Sequence, residues 1–123
     1  MTSQDNIYQW QEMWLLFTLS KANALDNIQL DIIRKIIRNT SKHWASRATA
    51  ILVLGKLGDN ADRNWLRGLY RNENNNYIKR ALVAAVQTLP RPRRNRFYAD
   101  IENDSYDMKR LVKYLKQERI ETI

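Results

Sequence analysis

Three stretches of similar sequence recur along the chain, and their spacing constrains the fold more than any other feature. Lys79–Val83 resembles Lys109–Val112, thirty residues later, and Ser46–Ala50 occupies the same place thirty-three residues earlier. A period of this length is typical of proteins built from stacked repeats of a few secondary-structure elements. Because one such repeat cannot bury its own apolar face, neighbouring repeats must share a continuous core.

The repeated elements are predicted to be helices. The chain of 123 residues contains three glycines and two prolines, whereas strand-rich folds need many turns. Apolar residues at helical spacing divide it into seven segments, the sixth beginning near Arg93. Gly58 is expected to end the third helix in a left-handed conformation. The predicted N-terminal caps are Asp26, Ser41, Asp59 or Asn60, the turn at 74–76, and Asp104 or Ser105.

The repeat pattern groups these segments into one lone helix followed by three helix pairs. We therefore expect an all-α fold, a right-handed α-solenoid of antiparallel helix pairs with about seven helices. The length suits a single domain over residues 1–123. Since the first helix is half of a repeat, we expect the chain to be a fragment or the C-terminal region of a larger protein. Trp10, Trp14, Trp44 and Trp65 lie at helical spacing and are predicted to be core residues.

One part of the repeat resembles a known family. The stretch from Arg47 to Asp59 is similar to the second helix and exit turn of HEAT-like helical repeats, and most similar to the short repeats of phycobilisome-lyase-like proteins. The resemblance covers about residues 26–116 and implies three HEAT-like helix pairs. The chain departs from it at Glu12, which stands at the arginine position of the first helix, and in the third pair, which lacks the Leu-Gly-x-Leu-Gly-Asp ending.

The resemblance also implies a structural role for three arginines that recur with the repeat. In HEAT-like repeats an aspartate and an arginine six positions later form a ladder between neighbouring repeats, which gives a buried guanidinium the partners it needs. We predict such a structural ladder here, weaker where Ser or Asn replaces Asp. Its residues are Ser41 with Arg47, Asn74 with Arg80, and Asp104 with Arg110.

Other basic residues are concentrated in the middle of the chain. The net charge is −3 over residues 1–33, +12 over 34–96 and −1 over 97–123, or +8 in total. Grouped arginines suit phosphate oxygens and release counterions from nucleic acids, although a solvated face that keeps the protein soluble is an equal alternative. The candidate residues for binding nucleic acid or an acidic partner are Arg63, Arg67, Arg71, Lys79, Arg91, Arg93, Arg94, Arg96 and Lys109.

The sequence offers little for catalysis. It has no cysteine and only one histidine, His43, so a zinc site and a Ser-His-Asp relay are unsupported, and no Gly-rich phosphate loop is present. We expect no enzyme activity, no cofactor and no metal. The DNA glycosylase and lyase-type activities found among HEAT-like proteins are remote alternatives, since fold does not imply function.

A non-catalytic binding module is therefore predicted, with two kinds of partner left open. It would contact nucleic-acid phosphates, alone or as the accessory domain of a nucleic-acid-processing protein, or act as a scaffold for an acidic protein. No apolar run spans a membrane and no signal peptide is apparent, so we expect a cytoplasmic protein without membrane contacts. Open repeat ends would allow a monomer or a weak homodimer.

Overall fold

The computed structural model describes residue 12 and residues 14–121, with side chains up to residue 117. Most of these residues lie in helices. In this part of the chain the fold is all-α, as predicted, and has no strand. Trp10, one of the predicted core residues, lies outside the described residues. The helices are α1 (14–20), α2 (Asn27–Arg38), α3 (Trp44–Leu57), α4 (Asn60–Leu69), a 3-10 helix (Tyr70–Asn72), α5 (Asn76–Ala85), α6 (Arg91–Ile101) and α7 (Tyr106–Glu121).

Local hydrogen bonds explain where four of the helices begin. Asp26 and the glutamine three positions later form a reciprocal capping box at α2. Asp59 and Asp62 form a similar box at α4, with distances of 2.9 and 3.1 Å. Asn75 accepts from two backbone N–H groups of α5, and Ser105 from one of α7. These starts agree with the predicted caps.

Two helices begin at other places than predicted. α3 begins at Trp44 because His43 is its cap, with Nδ1 accepting a hydrogen bond from the backbone two residues later, while Ser41 lies in the preceding turn. α6 begins at Arg91, two residues earlier than predicted. Pro92 lies in its first turn, where the N–H that proline lacks has no helical partner in any case.

Gly58 ends α3 as predicted, but the predicted left-handed conformation is wrong. Its backbone is extended, with φ −81° and ψ −175°. A Cβ at this position would lie 2.6 Å from the carbonyl oxygen of Leu54 and 2.6 Å from a carboxylate oxygen of Asp62. Glycine is therefore needed here for space and not for its backbone freedom.

The core is continuous from the first helix to the last. α3 packs against α2, α4 and α5, α5 packs against α4 and α7, and α6 packs against α7. The buried apolar side chains belong to one cluster that includes Leu16 of α1, Leu54 of α3, Leu82 of α5 and Val112 of α7. The core is thus shared among the described helices.

Two of the tryptophans predicted to be core residues are exposed. Trp14 is 72% exposed and Trp44 is 40% exposed, whereas Trp65 packs partly buried against the core. α1 carries two apolar stripes at helical spacing, and it buries the one that contains Leu16 and Leu19. Periodicity identified an apolar stripe in α1, but it did not determine which of the two would pack.

α3 and α5 approach each other closely near their C-terminal ends. A Cβ added to Gly55 would lie 2.6 Å from both the Cβ and the carbonyl oxygen of Ala85. At the other end of the same helices, the rings of Trp44 and Tyr77 stack with their centroids 4.5 Å apart. The two helices therefore run side by side in the same direction.

An arginine–carboxylate pair joins α2 to α4. Arg34 donates from Nε and Nη2 to the two carboxylate oxygens of Asp62, at 2.9 and 3.0 Å, and from Nη1 to Asp31 at 2.8 Å. Burial of Asp62 opposes its ionisation, but hydrogen bonds from Arg34 and from the Asp59 backbone outweigh this effect. The pKa of Asp62 consequently lies below its ordinary value.

Replacing Gly55 and Gly68 by alanine is expected to change stability in opposite directions. Alanine favours a helix interior over glycine by about 0.5–1 kcal/mol. No described atom lies within 4 Å of a Cβ at Gly68, so Gly68→Ala should raise the free energy of unfolding by that amount. Gly55→Ala should lower it by about 1–3 kcal/mol, because the Cβ meets the backbone of Ala85. Urea denaturation measures both, and shifts of the same sign would contradict the close approach.

Acid should remove the contribution of the Arg34–Asp62 pair. Because the folded-state pKa of Asp62 is lowered, its stabilisation is present above the ordinary carboxyl pKa of 3.8 and is lost as the pH falls through the folded value. We expect Asp62→Asn to lower the free energy of unfolding at pH 7 by about 1–3 kcal/mol.

The exposed carboxylate of Asp31 provides the control. Asp31→Asn should cost less than about 1 kcal/mol, since surface pairs contribute little. Urea denaturation from pH 7 down to pH 2 should show the gap between wild type and Asp62→Asn closing. A gap that stays constant with pH would show that the charge of Asp62 does not stabilise the fold.

Candidate functional site

Most carboxylates in the described part of the chain are paired with a cation. Acidic residues are outnumbered by basic ones, thirteen to twenty-one, so this pairing leaves the surplus positive charge on other residues. The pairs are Glu12–Lys42, Asp31–Arg34, Asp62–Arg34, Glu73–Arg47, Asp104–Arg71, Asp107–Arg80 and Glu102–Lys116.

The first arginine of the predicted ladder is buried and links α2 to the segment before α5. Arg47 donates from Nε to the carbonyl oxygen of Ile37 at 3.1 Å, and its Nη2 lies 3.2 Å from a carboxylate oxygen of Glu73. Ser41, its predicted partner, is exposed, and no described hydrogen bond joins the two residues. Arg47 instead pairs with Glu73, the acidic residue shortly before α5, because the neutral Ser41 carries no negative charge.

The other two arginines of the predicted ladder are exposed. Arg80 donates to Asp107 of α7 at 2.8 Å, not to Asn74. Arg110 lies over the ring of Tyr106 at 5.7 Å, while Asp104 accepts hydrogen bonds from other residues. In none of the three cases does a described hydrogen bond or ion pair join the arginine to the small polar residue six positions earlier. The sequence contains one signal for the observed pairs, the number of residues between each arginine and the acidic residue that it contacts. This separation is 26 residues from Arg47 to Glu73 and 27 from Arg80 to Asp107.

Three arginines close the end of an earlier helix by donating to its backbone carbonyls. Arg47 does so for α2, as described above. Arg63 donates from Nε to Gly55 at 2.8 Å and from Nη2 to Gly58 at 2.9 Å, at the end of α3. Arg94 is buried and donates to Gln87 at 3.1 Å, just after α5. These carbonyls lie in the last turn of a helix or just beyond it, where helical partners are lacking, so the arginines complete the helix ends.

Arg63 and Arg94 therefore do not belong with the exposed basic residues among which the sequence grouped them. Both have their guanidinium groups directed at the fold. Their spacing along the chain matches that of their exposed neighbours, so the charge pattern alone could not separate the two classes. What distinguishes them is the presence of an open helix end within reach of the side chain.

Three other predicted arginines meet in one open cleft between α4 and α6. The cleft has a volume of about 200 Å³. At Gly68 the wall carries no side chain, and no described atom would contact an added Cβ. Its lining residues are Arg67, Gly68, Arg71, Arg96, Phe97, Asp100 and Ile101. We call this the α4–α6 cleft.

Arg71 is held in place at this cleft while most of its side chain remains exposed. Its Nη1 donates to Asp104 at 2.9 Å and its Nη2 donates to the carbonyl of Asp100 at 3.0 Å, and the side chain is 60% exposed. The guanidinium also lies over the ring of Tyr70, whose hydroxyl donates to Asp104 at 2.9 Å. Burial and this hydrogen bond raise the pKa of Tyr70 to about 12. Arg71 is thus preorganised by neutral and anionic neighbours.

The remaining predicted basic residues do not line the cleft. Lys79 is half-buried with Nζ 5.2 Å from the centroid of the Tyr70 ring. Arg91 and Arg93 are exposed on α6, together with the cleft residue Arg96, and Lys109 is exposed on α7. Guanidinium groups present forked donors that match the oxygens of a phosphate, so the cleft is suited to an anion of that kind.

Arg63 and Arg67 lie one helical turn apart and should respond differently to truncation. Arg63→Ala removes hydrogen bonds that complete the end of α3, so we expect the free energy of unfolding to fall by about 1–2 kcal/mol. Arg67→Ala should change it by less than about 0.5 kcal/mol, since its charge serves no described pair. Urea denaturation of the two variants tests this, and equal losses would refute the separation of arginines that complete a helix end from those that do not.

No family model, curated protein or solved structure matches this chain. The described residues include no group of three or more His, Cys, Asp or Glu side chains placed to hold a metal ion. Among the described helices none combines the length and the apolar character that crossing a bilayer requires.

Proposed function

We propose that this chain is a non-catalytic binding module that holds nucleic-acid phosphates in the α4–α6 cleft. One observation carries the proposal: Arg67, Arg71 and Arg96 line a single open cleft, and only one carboxylate, that of Asp100, lines it with them. Most other described carboxylates are paired with cations elsewhere.

We also propose that the helices form a right-handed solenoid of antiparallel pairs of the HEAT-like type. Contacts of α2 with α3, of α4 with α5 and of α6 with α7 support the three pairs. Contacts of α3 with α5 and of α5 with α7 support their stacking. In such a stack α4 and α6 are the first helices of neighbouring pairs, so the cleft lies at a junction between repeats.

Electrostatics sets the expected mode of binding. Cations that neutralise phosphates release condensed counterions, so the affinity falls as salt rises, independently of base sequence. Arg71 is already held by Asp104 and Asp100, so it loses little side-chain freedom on binding. Arg91 and Arg93 extend the exposed positive charge along α6 beyond the cleft.

Removing the two unpaired cleft arginines should weaken binding and its salt dependence. We expect the slope of log affinity against log salt for a labelled oligonucleotide to shrink by about one for each arginine in an Arg67→Gln/Arg96→Gln variant. Arg71 stays intact because its pairing with Asp104 contributes to the fold. Fluorescence anisotropy over a salt series measures the slope.

A variant that removes the same amount of charge from another part of the chain is the control. Lys21→Gln/Lys35→Gln removes the same net charge from exposed positions at α1 and α2, so it should leave the slope nearly unchanged. Loss of binding equal to that of the arginine variant would mean that net charge, not the cleft, determines affinity. Absence of binding at low salt, or affinity indifferent to salt, would overturn the proposal and favour an acidic protein as the partner.

A further inference from the structure

Exposed aromatic side chains mark the beginnings of three helices that contact one another in succession. Trp44 is the first residue of α3, Tyr77 the second of α5 and Tyr106 the first of α7. Their exposed fractions are 40%, 57% and 74%. We call these three residues the aromatic row.

The first two rings of the row are already arranged as a stack. The rings of Trp44 and Tyr77 lie 4.5 Å apart at an interplanar angle of 20°, and His43 adds a third ring 5.3 Å from Trp44. Large aromatic side chains ordinarily gain stability by burial. These rings instead keep much of their surface in solvent while being held in a fixed mutual geometry.

An ion pair joins α7, which carries the third ring, to α5, which carries the second. Arg80, one turn after Tyr77, donates to Asp107, which directly follows Tyr106, at 2.8 Å. This bond joins the first turn of α7 to α5. Arg110 lies over the ring of Tyr106 at 5.7 Å and is exposed. A cation therefore accompanies the most exposed ring of the row.

The α4–α6 cleft lies next to the aromatic row. Arg71 of the cleft donates to Asp104, which lies two residues before Tyr106. The carboxylates nearest the row, those of Glu73, Asp104 and Asp107, are each paired with an arginine. The aromatic row therefore lies among residues that carry no excess of negative charge.

We propose that the aromatic row stacks the bases of a single-stranded nucleic acid whose phosphates lie in the α4–α6 cleft. This inference rests on the proposed function and adds the kind of nucleic acid. Grooves that bind single strands without sequence preference combine a cationic track with aromatic side chains on which bases stack. In a duplex the base faces are covered by neighbouring base pairs, so the row has nothing to stack on.

An abasic strand separates stacking from phosphate binding. The probes are labelled thymidine oligonucleotides of about 12 nucleotides, an abasic strand of equal length and charge, and a duplex of that length. For the wild-type chain we expect the thymidine strand to bind at least about fivefold more tightly than the abasic strand, and more tightly than the duplex at equal salt.

Variants of Tyr106 test the row without disturbing the fold, because its ring contacts Arg110 at the surface. Tyr106→Ala should weaken binding of the thymidine strand at least about fivefold and leave the abasic strand unaffected. Tyr106→Phe, which keeps the ring, should retain wild-type affinity. Tyr114→Ala removes an equally large and similarly exposed ring two turns along α7, and should have no effect.

The possible failures are distinguishable. If thymidine and abasic strands bind equally, or if Tyr106→Ala binds like wild type, the stacking inference is overturned while the phosphate cleft stands. If Tyr114→Ala weakens binding as much as Tyr106→Ala, the row is not the contact surface and the inference is again overturned. If no strand binds at low salt, the proposed function fails together with the inference.

Discussion

The close approach of α3 and α5 at Gly55 and Ala85 determines the arrangement of much of this molecule. With no side chain at Gly55, the two helix backbones come within a distance that even a methyl group would obstruct. The same two helices bring Trp44 and Tyr77 into ring contact at their other ends. The geometry of the aromatic row therefore depends on a packing constraint that lies about three helical turns away.

Arginine has two distinct uses in this fold. Arg47, Arg63 and Arg94 donate to carbonyls at the ends of helices, where the backbone lacks internal partners. Arginine suits this role because its planar fork can reach two acceptors at once, whereas Lys56 donates to the single carbonyl of Ser20 at the end of α1. The large excess of basic residues thus overstates the charge available for binding.

Sequence periodicity and cap residues were sufficient to predict the all-α fold and most helix starts, because these depend on residues close together in the chain. Asp26 and Asp59 illustrate this, since each cap bonds within three residues. The packing of Trp14 and the partner of Arg47 differ from those predicted. Both depend on contacts between distant parts of the chain. Either of the two apolar stripes of α1 could pack against the core, and more than one acidic residue could pair with Arg47.

The α4–α6 cleft brings three cations together with two anions. Arg67, Arg71 and Arg96 line it, Asp100 lines it with them, and Asp104 pairs with Arg71 at 2.9 Å, so the charge at the cleft remains positive. A helical surface that needed only to remain in solution would ordinarily mix charges of both signs on these positions. Under the proposed function an anion would bind there only in the folded state, so ligand binding and stability would be thermodynamically linked. Under the proposed function, Arg67 and Arg96 would contribute most to this linkage, because Arg71 already pairs with Asp104.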